Sequence, residues 1–327
     1  MKKIIITLAL CMLTINASAQ GFLSGLFGAS EPKGPKFKFV EGDYDAKEEI
    51  LYLKINGVIQ EKDDDDSPMS ALKQKKSILD TMKEDLALAA KRDAVKAVYL
   101  EINSPGGEVT ASDLLYHMLK KFYEQTKKPV IAHIGAMGAS GAYYTACGCS
   151  KIYALPTSMI GSIGVLLQTM NVEELANKLG VTTVTIKSDN TPMKDVLSPF
   201  RKATEEEKAM LLELVETSYQ RFVDIVTENR KLNRDDVVKA ANGAVYTAQK
   251  AQKLGLIDGI GYREEVMAEI CKLLDIKSAA LVKKTEEKNP LSELLGALSE
   301  QSSDIRPILN SFVKQIMIGN QPVLMFR

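Results

Sequence analysis

Histidine is scarce in this sequence: His117 and His133 are the only two in 327 residues. His117 falls in a predicted helix and His133 in a predicted strand, and neither has an acidic residue placed to orient it. Each reads as a structural histidine, so a Ser-His-Asp triad is poorly supported. Charge of one sign is also missing, since Lys plus Arg and Asp plus Glu each number 42. A protein that tracks nucleic acid carries a basic surplus, and none is present, so no nucleic-acid partner is expected. Cysteine numbers four, and Cys147, Cys149 and Cys271 remain once Cys11 is set aside with the leader described below. Cys147 and Cys149 stand too close for an easy bridge, and no ligand cluster accompanies them, so all three read as small packing residues rather than a zinc site. Neither a phosphate-cradling loop nor a metal-ligand spacing occurs, and no cofactor or metal is expected. Long apolar runs are absent too. The leading one, Ile4 to Ile15, is shorter than the roughly 20 residues a membrane-spanning helix needs.

That short run has its own meaning. Met1-Lys2-Lys3 precedes it and Ala17-Ser18-Ala19 follows, the pattern of a secretory signal with a small-x-small cleavage site. Residues 1–19 are therefore expected to be a signal peptide, with an uncleaved anchor as the alternative. The protein is expected to be exported to the cell envelope, periplasmic or membrane-associated. Residues 20–46 lack periodicity and read as a linker, touching membrane through Phe22, Leu23, Leu26 and Phe27.

Regular structure is predicted from Glu48. Strands are expected at 50–55, 94–102, 129–134 and 181–186, and a helix at 109–123. Asp63 to Asp66 reads as a solvated acidic turn and Ser67-Pro68 as a helix start. A further helix is expected to begin near Ser140. Residues 188–203 read as a loop, and Thr204 with Glu207 as a capping box opening a helix to about Arg230. Alternating strands and helices over 48–187 predict an α/β domain of stacked crossover units. After residue 262 the pattern is helical, and the last residues form an apolar tail, Pro322 to Phe326, for which ordinary packing is favoured over occupancy of a substrate groove.

A serine nucleophile needs an exposed hydroxyl, a proton acceptor and donors for the oxyanion. Gly138-Ala139-Ser140-Gly141-Ala142 offers small neighbours for a sharp strand-to-helix turn. Alone it is equally a helix-packing motif. Ser104-Pro105-Gly106-Gly107 follows a predicted buried strand, where glycine can turn a backbone N–H into a cleft. The N–H groups of Gly107 and Gly141 would then form a two-donor oxyanion hole. Chain order alone does not veto histidine as the base; a lysine can replace it where burial in an apolar site lowers its pKa, but spacing alone selects none of the chain's many lysines.

Several blocks together settle what single motifs leave open. SPGG at 104–107, GAMGASGAYYTACG at 135–148, GSIGV at 161–165, MKDVLSPFRKATEEE at 193–207 and GAVYTAQKAQKLGLIDGIG at 243–261 resemble the signal peptide peptidase A family (peptidase family S49). The likeness covers roughly residues 48–270. It implies a Ser/Lys serine endopeptidase on the ClpP/crotonase-like fold, built of stacked ββα units, here with a helical C-terminal extension. It assigns the protease domain to 47–270 and the extension with its apolar tail to 271–327. Carried over by position, it makes Ser140 the nucleophile, Lys194 the general base, Ser162 the hydroxyl that orients the lysine, and Gly107 an oxyanion donor. Where the family usually has glycine shortly before the lysine, this chain reads Asp189-Asn190-Thr191-Pro192-Met193, which leaves Lys187 as the fallback base. The implied substrates are signal-peptide remnants and unfolded envelope peptides, and the implied partner is further copies of the chain in a homo-oligomer. Two rival expectations stand beside this: a crotonase-type acyl-CoA enzyme, and a catalytically degenerate envelope scaffold.

Overall fold

In a computed structural model of the chain, residues 36–61 and 76–285, with the backbone of 325–326, are described. The expected signal peptide, most of the linker, the acidic turn at 63–66 and the helix start at Ser67-Pro68 lie outside them.

The centre is a sheet of three long parallel strands: β2 (Glu49–Asn56), β3 (Val95–Ser104) and β5 (Val130–Ala139). Ile50, Leu51, Val98, Tyr99, Leu100, Val130 and Ile131 are all buried on consecutive positions. Such unbroken apolar runs belong to strands covered on both faces. Around them the order is β1 (Phe37–Gly42), β10 (Ala280–Lys284), β2, β3, β5, β6 (Lys151–Ala154) and β9 (Gly259–Ile260), with β7 (Met159–Gly161) and β8 (Val245–Thr247) branching from β5. β4 (Gly107–Glu108) stands apart, paired with β11 (Met325–Phe326). Among the described residues the fold is mixed α/β, and its main sheet is mostly parallel.

The connections are helical: α1 (Ile78–Lys91), α2 (Val109–Thr126), α3 (Gly141–Ala146), α4 (Glu173–Lys178), α5 (Glu205–Arg230), α6 (Arg234–Ala240), α7 (Ala248–Lys253) and α8 (Arg263–Leu273). Val266, Met267 and Ile270 of α8 pack on Ile50, Tyr52, Ala97, Tyr99 and Ile131. Each such fully buried aliphatic side chain contributes about 1.5–3 kcal/mol. The capping box at α5 is present: Glu207 N–H donates to Thr204 Oγ1 and Thr204 N–H to Glu207 Oε2, at 3.2 and 2.8 Å.

Three sequence expectations change. Phe37–Gly42, inside the supposed linker, is a strand at the sheet's edge. Among the described residues after 262, helix is confined to α8. Ala280, Leu281 and Val282 are buried and continue the sheet as a strand parallel to β2, because the slot beside β2 buries an apolar run on both faces. The strand expected at 181–186 does not form: those residues are exposed and irregular. Their β-branched side chains suit a strand, but a strand needs a partner edge and a buried face, and here they have neither. No helix among the described residues is long and apolar enough to cross a membrane.

Candidate active site

The carboxyl ends of β3, β5 and β7 lie together. Ser104 pairs with Gly138, and Ala139 pairs with Gly161. The chain therefore leaves the sheet at three adjacent points, through Pro105-Gly106-Gly107, through Ser140 and through Ser162. In open α/β sheets this is the edge where ligands bind.

Ser140 stands between β5 and α3 with φ 55° and ψ −124°, a conformation sparsely populated by residues with a Cβ. Its N–H donates to Gly161 O at 2.7 Å and its carbonyl accepts from Tyr144 N–H at 2.9 Å. The turn is over-determined from below. Tyr143 OH donates to Leu256 O at 2.7 Å, Tyr144 OH to Asp113, and Thr145 Oγ1 to Gly141 O at 2.9 Å. Ser140 Oγ is buried and has no hydrogen-bond partner. A buried hydroxyl left unpaired costs about 1–3 kcal/mol, and this one sits on a strained turn.

Ser162, also buried, has φ 48°, and its N–H donates to Ala244 O at 2.7 Å. Parallel pairing of β5 and β7 makes Ser140 and Ser162 successive exits from neighbouring strands. Gly161 (φ 109°) has no room for a side chain, since a Cβ would lie 2.8 Å from the Tyr246 ring and 2.9 Å from Ala244 O. The tyrosine and alanine of the 243–261 block thus act as the floor beneath this turn.

Gly107 begins β4. Ile59 N–H donates to Gly106 O, and Glu108 N–H donates to Ile59 O, both at 2.8 Å. Because successive residues of a strand present their N–H and C=O groups to opposite sides, those of Gly107 face away from Ile59. That side is the edge on which β11 lies antiparallel, with Phe326 opposite Gly107 and Met325 opposite Glu108. Ser104 Oγ accepts from Gly106 N–H at 3.1 Å and shapes the turn. Gly141 is the first residue of α3, where an N–H has no acceptor within its own helix. Ile59, which seats the β4 turn, was not singled out from sequence. Nothing local marks it, since its role comes from lying across a loop 48 residues on.

Lys194 is placed elsewhere. It lies in the 3-10 turn Pro192–Asp195, exposed, on a surface arm between β7 and α5. Within the single chain it makes no hydrogen bond to Ser140 Oγ. Lys187 donates to Pro192 O at 2.6 Å and pairs with Asp195. The arm is unusually apolar for an exposed segment: Val184 and Ile186 are 81% and 94% exposed, and Leu175 and Leu179 of the same segment are exposed as well.

His133 is buried at mid-sheet, with Tyr99 OH at Nδ1 and Gly261 O at Nε2, and burial lowers its pKa. His117 is exposed on α2. Cys147, Cys149 and Cys271 are unpaired, and burial pushes the Cys147 thiol up to about 12, which makes it inert as a nucleophile. Among the described residues no three or more His, Cys, Asp or Glu side chains are grouped to hold a metal.

Residues 123–277, which include Ser140, Ser162 and Lys194, match the model of Peptidase family S49. A Methanocaldococcus jannaschii protein named "Putative protease MJ0651" is 36% identical over 65% of this chain and 65% of its own length. The Enterococcus faecium protein named "Putative signal peptide peptidase SppA" is 32% identical over 72% of this chain and 67% of its own. Protease 4 of Salmonella typhi is 30% identical over 63% of this chain but only 32% of its own length. The matched region thus spans about two thirds of the first two relatives and about a third of the last. With the strained serine turn, the glycine-edged strand beside it and these matches in one region, the chain belongs to peptidase family S49.

Proposed function

We propose that this protein is a serine endopeptidase in which Ser140 is the nucleophile and Lys194 the general base, on a ClpP/crotonase-like fold. The observation that carries the proposal is the Ser140 turn: a buried, unpartnered hydroxyl held at positive φ, beside a strand edge that accepts an antiparallel chain. A peptide added to β4 in the manner of β11 would take main-chain hydrogen bonds from that edge. Its scissile carbonyl would then lie towards the N–H groups of Gly107 and Gly141. Neutral Lys194 removes the Ser140 proton as Oγ attacks the carbonyl carbon. The two N–H groups stabilise the oxyanion, and the lysine ammonium returns its proton to the leaving amine. Water, deprotonated by the same lysine, then attacks the acyl-enzyme, and the lysine ammonium returns the proton to Ser140 Oγ as the ester breaks, regenerating the free serine. Ser162 orients the lysine amine.

The dyad closes when the arm is covered. Burying Leu175, Leu179, Val184 and Ile186 against a further copy of the chain would take Lys194 out of water, and desolvation favours the neutral amine a base requires. Homo-oligomerisation therefore belongs to the same proposal, as does a diet of short or unfolded envelope peptides, including signal-peptide remnants, able to add as an extended strand. The deciding experiment is cleavage of a fluorogenic peptide with a small, apolar site by wild type, Ser140→Ala and Lys194→Ala, with fluorophosphonate labelling in parallel. Loss of cleavage in both variants, and of labelling in Ser140→Ala, is expected. Turnover surviving Ser140→Ala would remove the nucleophile, and turnover surviving Lys194→Ala would remove the base.

A further inference from the structure

The segment that carries Lys194 has almost no regular structure of its own, yet one side chain ties it to the body of the protein. Arg201 Nε donates to Asp195 Oδ2 at 2.9 Å, and Nη2 to Asp195 Oδ1 at 2.9 Å and to Asp195 O at 3.0 Å. Its Nη1 donates to Glu207 Oε2 at 2.8 Å and to Lys202 O at 3.1 Å, and Nη2 also reaches Glu207 Oε1. The guanidinium therefore spends all its N–H groups on two carboxylates and two carbonyls, at the junction of the arm with α5. Asp195 is the residue after Lys194, and Glu207 is the buried capping residue of α5.

We propose that Arg201 is the positioning residue for Lys194. Its fork joins the Pro192–Asp195 turn to the first turn of α5, so that the direction in which Lys194 leaves the backbone is set by a long, capped helix rather than by a loose arm. The inference rests on Lys194 being the general base. Four further bonds complete the clamp. Lys187 closes the turn from the other side through Pro192 O and Asp195. Val172 N–H donates to Pro199 O at 2.7 Å, and Asn171 Nδ2 to Arg201 O at 2.9 Å. The fallback base is thereby assigned a different duty, since the Lys187 ammonium is the second staple on Asp195. The geometry needs a planar fork with several donors. A lysine at 201 would supply charge without spanning both carboxylates.

The clamp touches neither the sheet nor the Ser140 turn, so its loss should appear in the chemical step. The test is peptide turnover by Arg201→Ala, Arg201→Lys and Asp195→Asn, run beside Ser140→Ala and Lys194→Ala, with melting temperature and particle size recorded for each. A misplaced base by ~1 Å lowers turnover by up to about a hundredfold. Arg201→Ala is expected to lower kcat by about 10- to 100-fold with KM within about threefold of wild type and particle size unchanged. Arg201→Lys should recover only part of that loss. Asp195→Asn leaves the Arg201–Glu207 pair and the α5 cap in place, and should lower kcat in the same sense. Wild-type kcat in Arg201→Ala, or full recovery in Arg201→Lys, would overturn the inference. So would a loss that tracks dissociation or melting in all three. If Lys194→Ala itself turned over peptide, the failure would lie with the dyad and not with the clamp.

Discussion

The sharpest perturbation available is one methyl group at Gly107. An alanine Cβ there would lie 1.9 Å from Ile59 O and 2.7 Å from Ile59 C and N. Ordinary contacts of carbon with neighbouring heavy atoms begin near 3.5 Å, so the backbone of β4 must retreat from Ile59 by about 1.5 Å. No rotamer relieves the clash, because all three atoms belong to main chain. The retreat stretches two 2.8 Å hydrogen bonds, Ile59 N–H to Gly106 O and Glu108 N–H to Ile59 O. Each contributes about 0.5–1.5 kcal/mol, so Gly107→Ala should destabilise the fold by about 1–3 kcal/mol. In a domain of this size that is a fall in melting temperature of about 3–10 °C. The same displacement carries the proposed oxyanion donor away from Ser140, and removing one such donor costs about 10²–10³ in rate. The assay is kcat/KM on a fluorogenic peptide, paired with calorimetric melting. Wild-type melting would refute the packing argument. Lowered melting with wild-type kcat/KM would leave the packing standing and take Gly107 out of the oxyanion hole.

Three other predictions follow from the same geometry. Ser140 holds φ 55° against its own Cβ, so Ser140→Gly should abolish turnover yet raise stability by about 1 kcal/mol; chemical denaturation reads this, and an unchanged midpoint would show that the turn stores no strain. Tyr143 OH donates to Leu256 O in a fully buried setting, and burial keeps the phenol protonated. Tyr143→Phe strands that carbonyl and should cost about 1–3 kcal/mol in urea unfolding, while a loss of a few tenths would mean water replaces the hydroxyl. The Arg201 fork, helped by Thr204 N–H, holds the Glu207 carboxyl down to about 2, and the Arg201 and Lys187 cations hold Asp195 lower still. Both folded pKa values lie below the unfolded ones, so their contribution is complete above about pH 4.5 and is lost as pH falls towards about 2. The melting-temperature gap between wild type and Glu207→Gln should therefore be flat from pH 7 to 5 and close below pH 4; a gap that persisted at pH 2 would contradict the ion pair.

Much of the fold was legible because its signals are local. Mostly apolar runs at 95–102 and 130–134, interrupted only by Lys96, Glu101 and His133, mark buried parallel strands, and Thr204 with Glu207 marks the start of α5 within one residue. The serine turn was legible as well: small residues on both sides of Ser140 permit a bend that larger ones would block, and the bend is there. The sequence, through its several blocks in order, pointed to the family and to Ser140, Ser162, Lys194 and Gly107 as candidates, with Gly141 proposed from its place beside Ser140.

Tertiary structure decided what depends on a partner distant in the chain. Ser140 and Ser162 become neighbours because Ala139 pairs with Gly161, a fact of strand register with no trace in either motif. Gly107 must be glycine because Ile59 crosses it. Residues 280–284 became a strand because a slot beside β2 was open, and 181–186, with better β-forming residues, did not because no edge met them. Lys194 shows the same division. Its candidacy as the proposed base comes from the chain, but its backbone is held by Arg201 and Lys187 through Asp195, and the proposed dyad needs packing to bring hydroxyl and amine within a hydrogen bond.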